Sequence, residues 1–145
     1  MKQSQGKPNA LRWACDERGC WVINRHLPLE RFYHLFPGRI GMTDIDGLVE
    51  VDGAFLLLEA KTCRKTTTGQ DIALERFTLQ VCPDTGKRRN IAIYIELGGL
   101  AKDFQIRGLR YYFDGRLVRD WADASFDDVA GLIQRWQGWI AKGRA

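Results

Sequence analysis

The chain has 145 residues, 45% apolar, 28% charged and 11% aromatic, with only four prolines. That composition suits one globular domain with a core and excludes a disordered, collagenous or disulfide-stapled chain. Twenty-two Lys and Arg against 18 Asp and Glu leave a net charge of +4, a modest bias toward polyanionic partners. No apolar run approaches the roughly 18 residues of a transmembrane helix, and Met1–Pro8 is polar where a signal peptide would be apolar, so a soluble, cytoplasmic protein with no membrane partner is expected.

In chain order, residues 1–10 read as a flexible tail and 11–145 as one domain. Pro28–Phe36 suits a short amphipathic helix with proline in its first turn, stopped by Pro37 and Gly38. Thr43–Val51 and Ala54–Lys61 read as two strands joined by Asp52-Gly53, the dipeptide best suited to a two-residue type I′ turn. A basic, Thr-rich loop leads to a helix over Gln70–Val81, with Ile72, Leu74, Phe77 and Val81 as its apolar stripe. Asn90–Leu97 is a β-branched and aromatic strand, expected beside the strand that ends at Lys61. Ile106–Phe113, the turn Asp114-Gly115 and Arg116–Trp121 form a second hairpin. Ser125 then caps a final helix from Phe126 to Lys142, its buried stripe Leu132, Trp136, Trp139 and Ile140. The class is α/β, with a mixed central sheet flanked by helices. Residues 41–97 carry the core motifs; 105–142 supply the C-terminal hairpin and helix.

Counting outward from the Asp52-Gly53 turn pairs Val51 with Ala54, Glu50 with Phe55, Leu48 with Leu57 and Asp46 with Glu59, and sets Asp44 opposite Lys61. Because side chains alternate across a strand, these last four share one face. Opposed Cβ atoms lie roughly 4.5 to 5.5 Å apart, close enough for Asp46 and Glu59 to share one cation. A hard divalent ion with oxygen ligands, such as Mg²⁺, relieves their repulsion. Lys61 supplies a point positive charge on the same face.

Asp46, a turn, and Glu59-Ala60-Lys61 after the apolar run Phe55–Leu58 resemble the PD-(D/E)XK nuclease motif. Thr43-Asp44-Ile45-Asp46-Gly47 before the hairpin and Gly69-Gln70 at the next helix are similar to phage-type and Holliday-junction-resolvase-like members. The resemblance spans residues 41–97 and implies a restriction-endonuclease-like fold with an αβββαβ-like core. It implies that Asp46 and Glu59 bind Mg²⁺ or Mn²⁺, that the Ala60 carbonyl adds a ligand, and that Lys61 positions or activates water. By the same resemblance Gln70 contacts the substrate or the attacking water, and an acid of the first helix, Glu30 or Glu17, assists the metal. Ile45 stands where the family name carries proline. Asp44 ranks below Asp46, because the counted register sets Asp46 across from Glu59; its place opposite Lys61 suits orienting the lysine or holding a second ion.

The activity expected is hydrolysis of DNA phosphodiesters by a Mg²⁺-dependent endonuclease or exonuclease, with Arg64, Lys65, Lys87, Arg88 and Arg89 contacting backbone phosphates. A homodimer suits a duplex or junction cutter, and the size and resemblance point to a phage protein acting in host cytoplasm. The alternative is a non-catalytic module of the same fold that binds nucleic acid or protein through its acidic face. A plainer reading makes Asp44 and Asp46 solvent-face residues, Glu59 with Lys61 a cross-strand charge pair, and Lys87-Arg88-Arg89 a solvated turn. Phe55 and Leu57 on the face of Glu59 weigh against that, since they imply burial of the charge. Cys15 and Cys20 with His26 and His34 are loosely spaced for structural zinc. Cys63 and Cys82 read as small buried hydrophobes, and Trp13, Trp21, Trp121, Trp136 and Trp139 as packing residues.

Overall fold

Asp52 and Gly53 both adopt positive φ, 51° and 81°, the type I′ conformation whose twist matches that of the strands it joins. They close a hairpin of β1 (Gly47–Val51) and β2 (Ala54–Lys61). Glycine is required twice over at position 53, because a Cβ there would also lie 2.7 Å from the Cys82 sulfur. The computed structural model describes residues 45–99 and 103–143, together with Phe32 and residues 34–36. The chain divides into two compact units, Met1–Met42 and Thr43–Ala145. In the first, Phe32, His34 and Leu35 lie in a 3₁₀ turn and are exposed. Phe36 follows in a bend, and residues 28–31 and 33 of the predicted helix lie outside the described residues, as do Cys15, Cys20, His26, Glu17, Asp44, Trp13 and Trp21; Glu30 is among the former.

In the second unit, β2 leads through α1 (Thr68–Leu79) to β3 (Ile91–Gly98), then β4 (Gln105–Phe113), β5 (Arg116–Asp123) and α2 (Phe126–Lys142). The strands form one sheet in the order β1-β2-β3-β4-β5. β2 and β3 run parallel, and every other neighbouring pair is antiparallel. The class is therefore α/β, with a mixed five-stranded sheet and two helices. Among the described residues no helix is long and apolar enough to cross a membrane.

Alternation along the strands sorts the core into two layers. Ala54, Leu56, Ile91, Ile93 and Leu109 pack with Val129, Leu132, Trp136 and Ile140 of α2, while Leu57, Ala92, Tyr94 and Tyr112 pack with Leu74 of α1. β3, central and covered on both faces, buries Ile91, Ala92, Ile93 and Tyr94 in succession. Each large aliphatic side chain so buried contributes about 1.5 to 3 kcal/mol.

Both helices are pinned at their ends. Thr67 caps α1 by accepting the Gln70 amide, so the helix begins two residues before its predicted start. At its far end Asn90 Nδ2 donates to the Phe77 carbonyl at 3.1 Å, and the Gly115 amide donates to Thr78 Oγ1 at 3.0 Å. The buried stripe of α1 is Gln70, Leu74 and Thr78; Ile72, expected inside, lies off that stripe and is exposed, and so is Val81, which has left the helix and pairs with Arg88. α2 carries a reciprocal capping box between Ser125 and Asp128. Those bonds from the Ser125 amide and hydroxyl hold the Asp128 carboxyl below its ordinary pKa. Val129 replaces Trp139 in the expected stripe: Trp139 is 43% exposed, its ring edge-on to Phe113 and stacked under Arg89. Of the two described cysteines, Cys82 is buried as expected and Cys63 is exposed, because it follows the last residue of β2 into the loop before α1.

Candidate active site

Odd-numbered residues of β2 point toward α1, so Leu57, Glu59 and Lys61 share the face that α1 covers. Glu59 is only 5% exposed, a cost that demands compensation. Part of that compensation comes from Gln70, in the first turn of α1, whose Nε2 donates to Glu59 Oε1 at 2.9 Å. Lys61 Nζ lies 3.7 Å from the same oxygen. Gln70 is itself buried, and its Oε1 has no hydrogen-bond partner.

The paired ladder between β1 and β2 follows the counted register from Val51 with Ala54 to Gly47 with Leu58, and stops there. Asp46 is thus not a strand residue facing Glu59, as the register extended outward would have it, but an exposed bend residue. Its Oδ2 accepts the Ala60 amide at 2.7 Å, so the carboxylate takes over the acceptor role that a β1 carbonyl would have had. A strand residue presents its N–H and C=O to the same neighbour, so the Ala60 carbonyl also faces the edge where Asp46 sits.

This assembly lies at the carboxyl ends of the parallel pair β2 and β3, the usual place for a site in an open α/β sheet. Tyr94 is the β3 partner of Glu59 and is wholly buried. Its hydroxyl donates to Asp71 Oδ1 at 2.9 Å, and its ring lies 5.9 Å below Lys61 Nζ. Burial, reinforced by the bond to Asp71, pushes the Tyr94 hydroxyl far above its ordinary pKa and keeps it a donor. Asp71 also accepts from Thr66 Oγ1 at 2.8 Å and lies 3.6 Å from Arg110 Nη1. Arg110 in turn donates to Thr66 and to the Tyr112 hydroxyl.

No family model, curated protein or solved structure matches this chain. What the site can do is therefore argued from its own chemistry. Among the described residues no three His, Cys, Asp or Glu side chains gather as a metal-binding group. The oxygen donors at hand are the carboxylates of Asp46 and Glu59 and the Ala60 carbonyl. All are hard ligands, the set that suits Mg²⁺ or Mn²⁺ rather than zinc. Buried Gln70 Oε1, which has no hydrogen-bond partner, adds a further acceptor beside Glu59. The donor set fits such an ion.

The basic residues fall into separate groups. Arg64 donates to Glu96 at the end of β3 and to Asp123 at the end of β5; those bonds raise its pKa, with the Asp123 bond the larger cause. It ties strand ends together beside the site, and Lys65 next to it is exposed. Lys87, Arg88 and Arg89 instead precede β3, at the opposite end of the sheet. From Arg89 to Tyr94 the chain advances five residues, roughly 16 Å along a strand. Arg88 lies 3.8 Å from Asp114. Arg89, 4% exposed, is removed from any phosphate-binding surface: its guanidinium stacks 5.2 Å from Trp139 beside Gly143, the C-terminal cap of α2, where the helix dipole favours a cation. Its carbonyl accepts the Trp136 indole N–H at 2.7 Å. Sequence reasoning missed Tyr94, Asp71, Arg110 and Glu96. Tyr94 reads as one more strand aromatic, and only its parallel register beside Glu59 marks it.

Proposed function

We propose that the chain is a metal-dependent nuclease that hydrolyses DNA phosphodiesters, of the PD-(D/E)XK type, on a restriction-endonuclease-like core formed by the hairpin β1-β2, the helix α1 and the parallel strand β3. The observation that carries this reading is Glu59: a carboxylate almost fully buried at the open end of a parallel strand pair, bonded by Gln70 and flanked by Lys61. Burial of a carboxylate costs stability that its partners offset only in part, and charged groups held in that way cluster at functional sites.

Asp46, Glu59 and the Ala60 carbonyl would hold the ion. When bound, the ion supplies Lewis-acid polarisation of the phosphodiester and lowers the pKa of a water. Lys61 presents its ammonium as a point charge to the phosphate oxygen that gains charge in the transition state. Gln70 holds Glu59 in place from the helix. Lys65 on the adjoining loop contacts backbone phosphate, which provides affinity without sequence selection.

The test is cleavage of labelled single-stranded, duplex and branched DNA with Mg²⁺, with Mn²⁺ and with chelator, beside Glu59→Ala and Lys61→Ala. Cleavage that needs the cation and both side chains supports the proposal. Absence of cleavage in all substrates, with no Mn²⁺ binding by calorimetry, leaves the acidic end as a contact surface of a non-catalytic module.

A further inference from the structure

We propose that Tyr94 is the positioning residue of this site: its hydroxyl fixes Asp71, Asp71 fixes the first turn of α1, and that turn aims Gln70 at Glu59. The inference rests on the reading of Glu59 as a metal ligand.

The argument begins with helix geometry. Gln70 and Asp71 are consecutive, so their side chains leave α1 about 100° apart and address different strands. Gln70 meets β2 at Glu59, and Asp71 meets β3 at Tyr94. Rotation or sliding of the first turn that breaks one bond breaks the other. The N-terminal end of α1 has few other ties to the sheet: the cap from Thr67 is internal to the turn, and the Thr66 and Arg110 bonds converge on the same Asp71 carboxylate.

Tyr94 itself has little freedom. It is wholly buried in a central strand, packed edge-on to Tyr112 at 6.5 Å and against Trp121 at 6.0 Å. A buried phenolic hydroxyl requires a partner, and Asp71 provides it. The same ring carries Lys61 Nζ over its face at 5.9 Å, within the range of a cation–π contact. One side chain thus references both the lysine and the glutamate to the central, doubly covered strand of the sheet, while touching neither substrate nor ion.

The experiment uses the full chain, ¹⁵N-labelled, and follows hydrogen exchange of the Gln70 side-chain amide, assigned by its loss in Gln70→Glu. Slow exchange is expected in the wild type and at least about tenfold faster exchange in Tyr94→Phe, which keeps the ring and removes one hydrogen bond. Should Tyr94→Phe fail to fold, the partly exposed Asp71 gives the same answer: Asp71→Ala loses the protection, and Asp71→Asn, which retains an acceptor, restores it. In parallel, Mn²⁺ calorimetry is expected to show Tyr94→Phe about two- to tenfold weaker than wild type and Glu59→Ala not binding. Unchanged Gln70 protection in both Tyr94→Phe and Asp71→Ala overturns the inference, and so does equal Mn²⁺ affinity of Tyr94→Phe and a wild type that binds the ion. Lost protection together with a wild type that binds no Mn²⁺ upholds the positioning and sinks the nuclease reading.

Discussion

Asp46 Oδ2 accepts the Ala60 amide N–H at 2.7 Å, just beyond the last paired rung of the hairpin, Gly47 with Leu58. The carboxylate stands where the next strand carbonyl would have been, so β1 ends in a side chain that satisfies the β2 backbone and still has a second oxygen. Asp46 therefore has two separable roles, a structural acceptor and a negative charge.

Asp46→Asn separates them. The amide oxygen can still accept from Ala60, so the melting temperature is expected to move by no more than the equivalent of about 1 kcal/mol, while Mn²⁺ affinity falls by at least about tenfold with the loss of an anionic ligand. Thermal melts beside calorimetry measure the two. A large loss of stability with Mn²⁺ affinity retained contradicts the assignment.

On the proposed reading Lys61 acts on charge and does not hold the ion. Lys61→Met removes an ammonium 3.7 Å from Glu59 Oε1 and keeps the aliphatic stem, so Mn²⁺ binding is expected to be undiminished. Single-turnover cleavage at saturating Mg²⁺ should fall by roughly 10²- to 10³-fold, the range for losing one group that stabilises transition-state charge.

Distance separates Lys65 from Lys87 and Arg88. Lys65→Ala should weaken DNA binding and lower its salt dependence by about one phosphate contact. Lys87→Ala combined with Arg88→Ala should leave cleavage within about twofold, because that turn lies at the far end of the sheet, roughly 16 Å along the strand direction. Titrations at several salt concentrations distinguish the two surfaces.

The α2 cap predicts a pH dependence of stability. Ser125→Ala is expected to cost about 1 kcal/mol near neutrality. Asp128 has its pKa held below the ordinary 3.8 by the Ser125 bonds, so the stability it contributes is present above that value and is lost as the pH falls through the lower, folded value. The melting-temperature gap between wild type and Asp128→Asn should accordingly be open at neutral pH and close below pH 3.8. A gap that widens on acidification contradicts the cap.

The two hairpins and the last helix were legible in the sequence, because each is encoded within a few residues. Asp52-Gly53 and Asp114-Gly115 both take the positive φ that closes a two-residue turn, and such a turn sets the antiparallel register of the rungs next to it, although in the second hairpin the register shifts beyond Tyr112 with Leu117. Hence Leu48 with Leu57 and Glu50 with Phe55 pair as counted. Ser125 and Phe126–Lys142 are likewise a local signal, cap followed by periodic stripe. The count went wrong only past Gly47, where the ladder ends and a bend begins: nothing in a turn states how long its strands run.

Tertiary structure alone decided the rest. That β3 lies beside β2 is expected from the sequence and is found, but no turn links the two, so the register that sets Tyr94 beside Glu59 follows from how α1 packs across the sheet. The same packing turned Gln70 inward to Glu59, placed Asp71 over Tyr94, and carried Lys87, Arg88 and Arg89 to the far end, where Arg89 is buried against Trp139. Local backbone preference fixes what a short segment becomes. Which distant side chains then meet is settled by burial of two apolar layers on one sheet, a property of the whole chain at once.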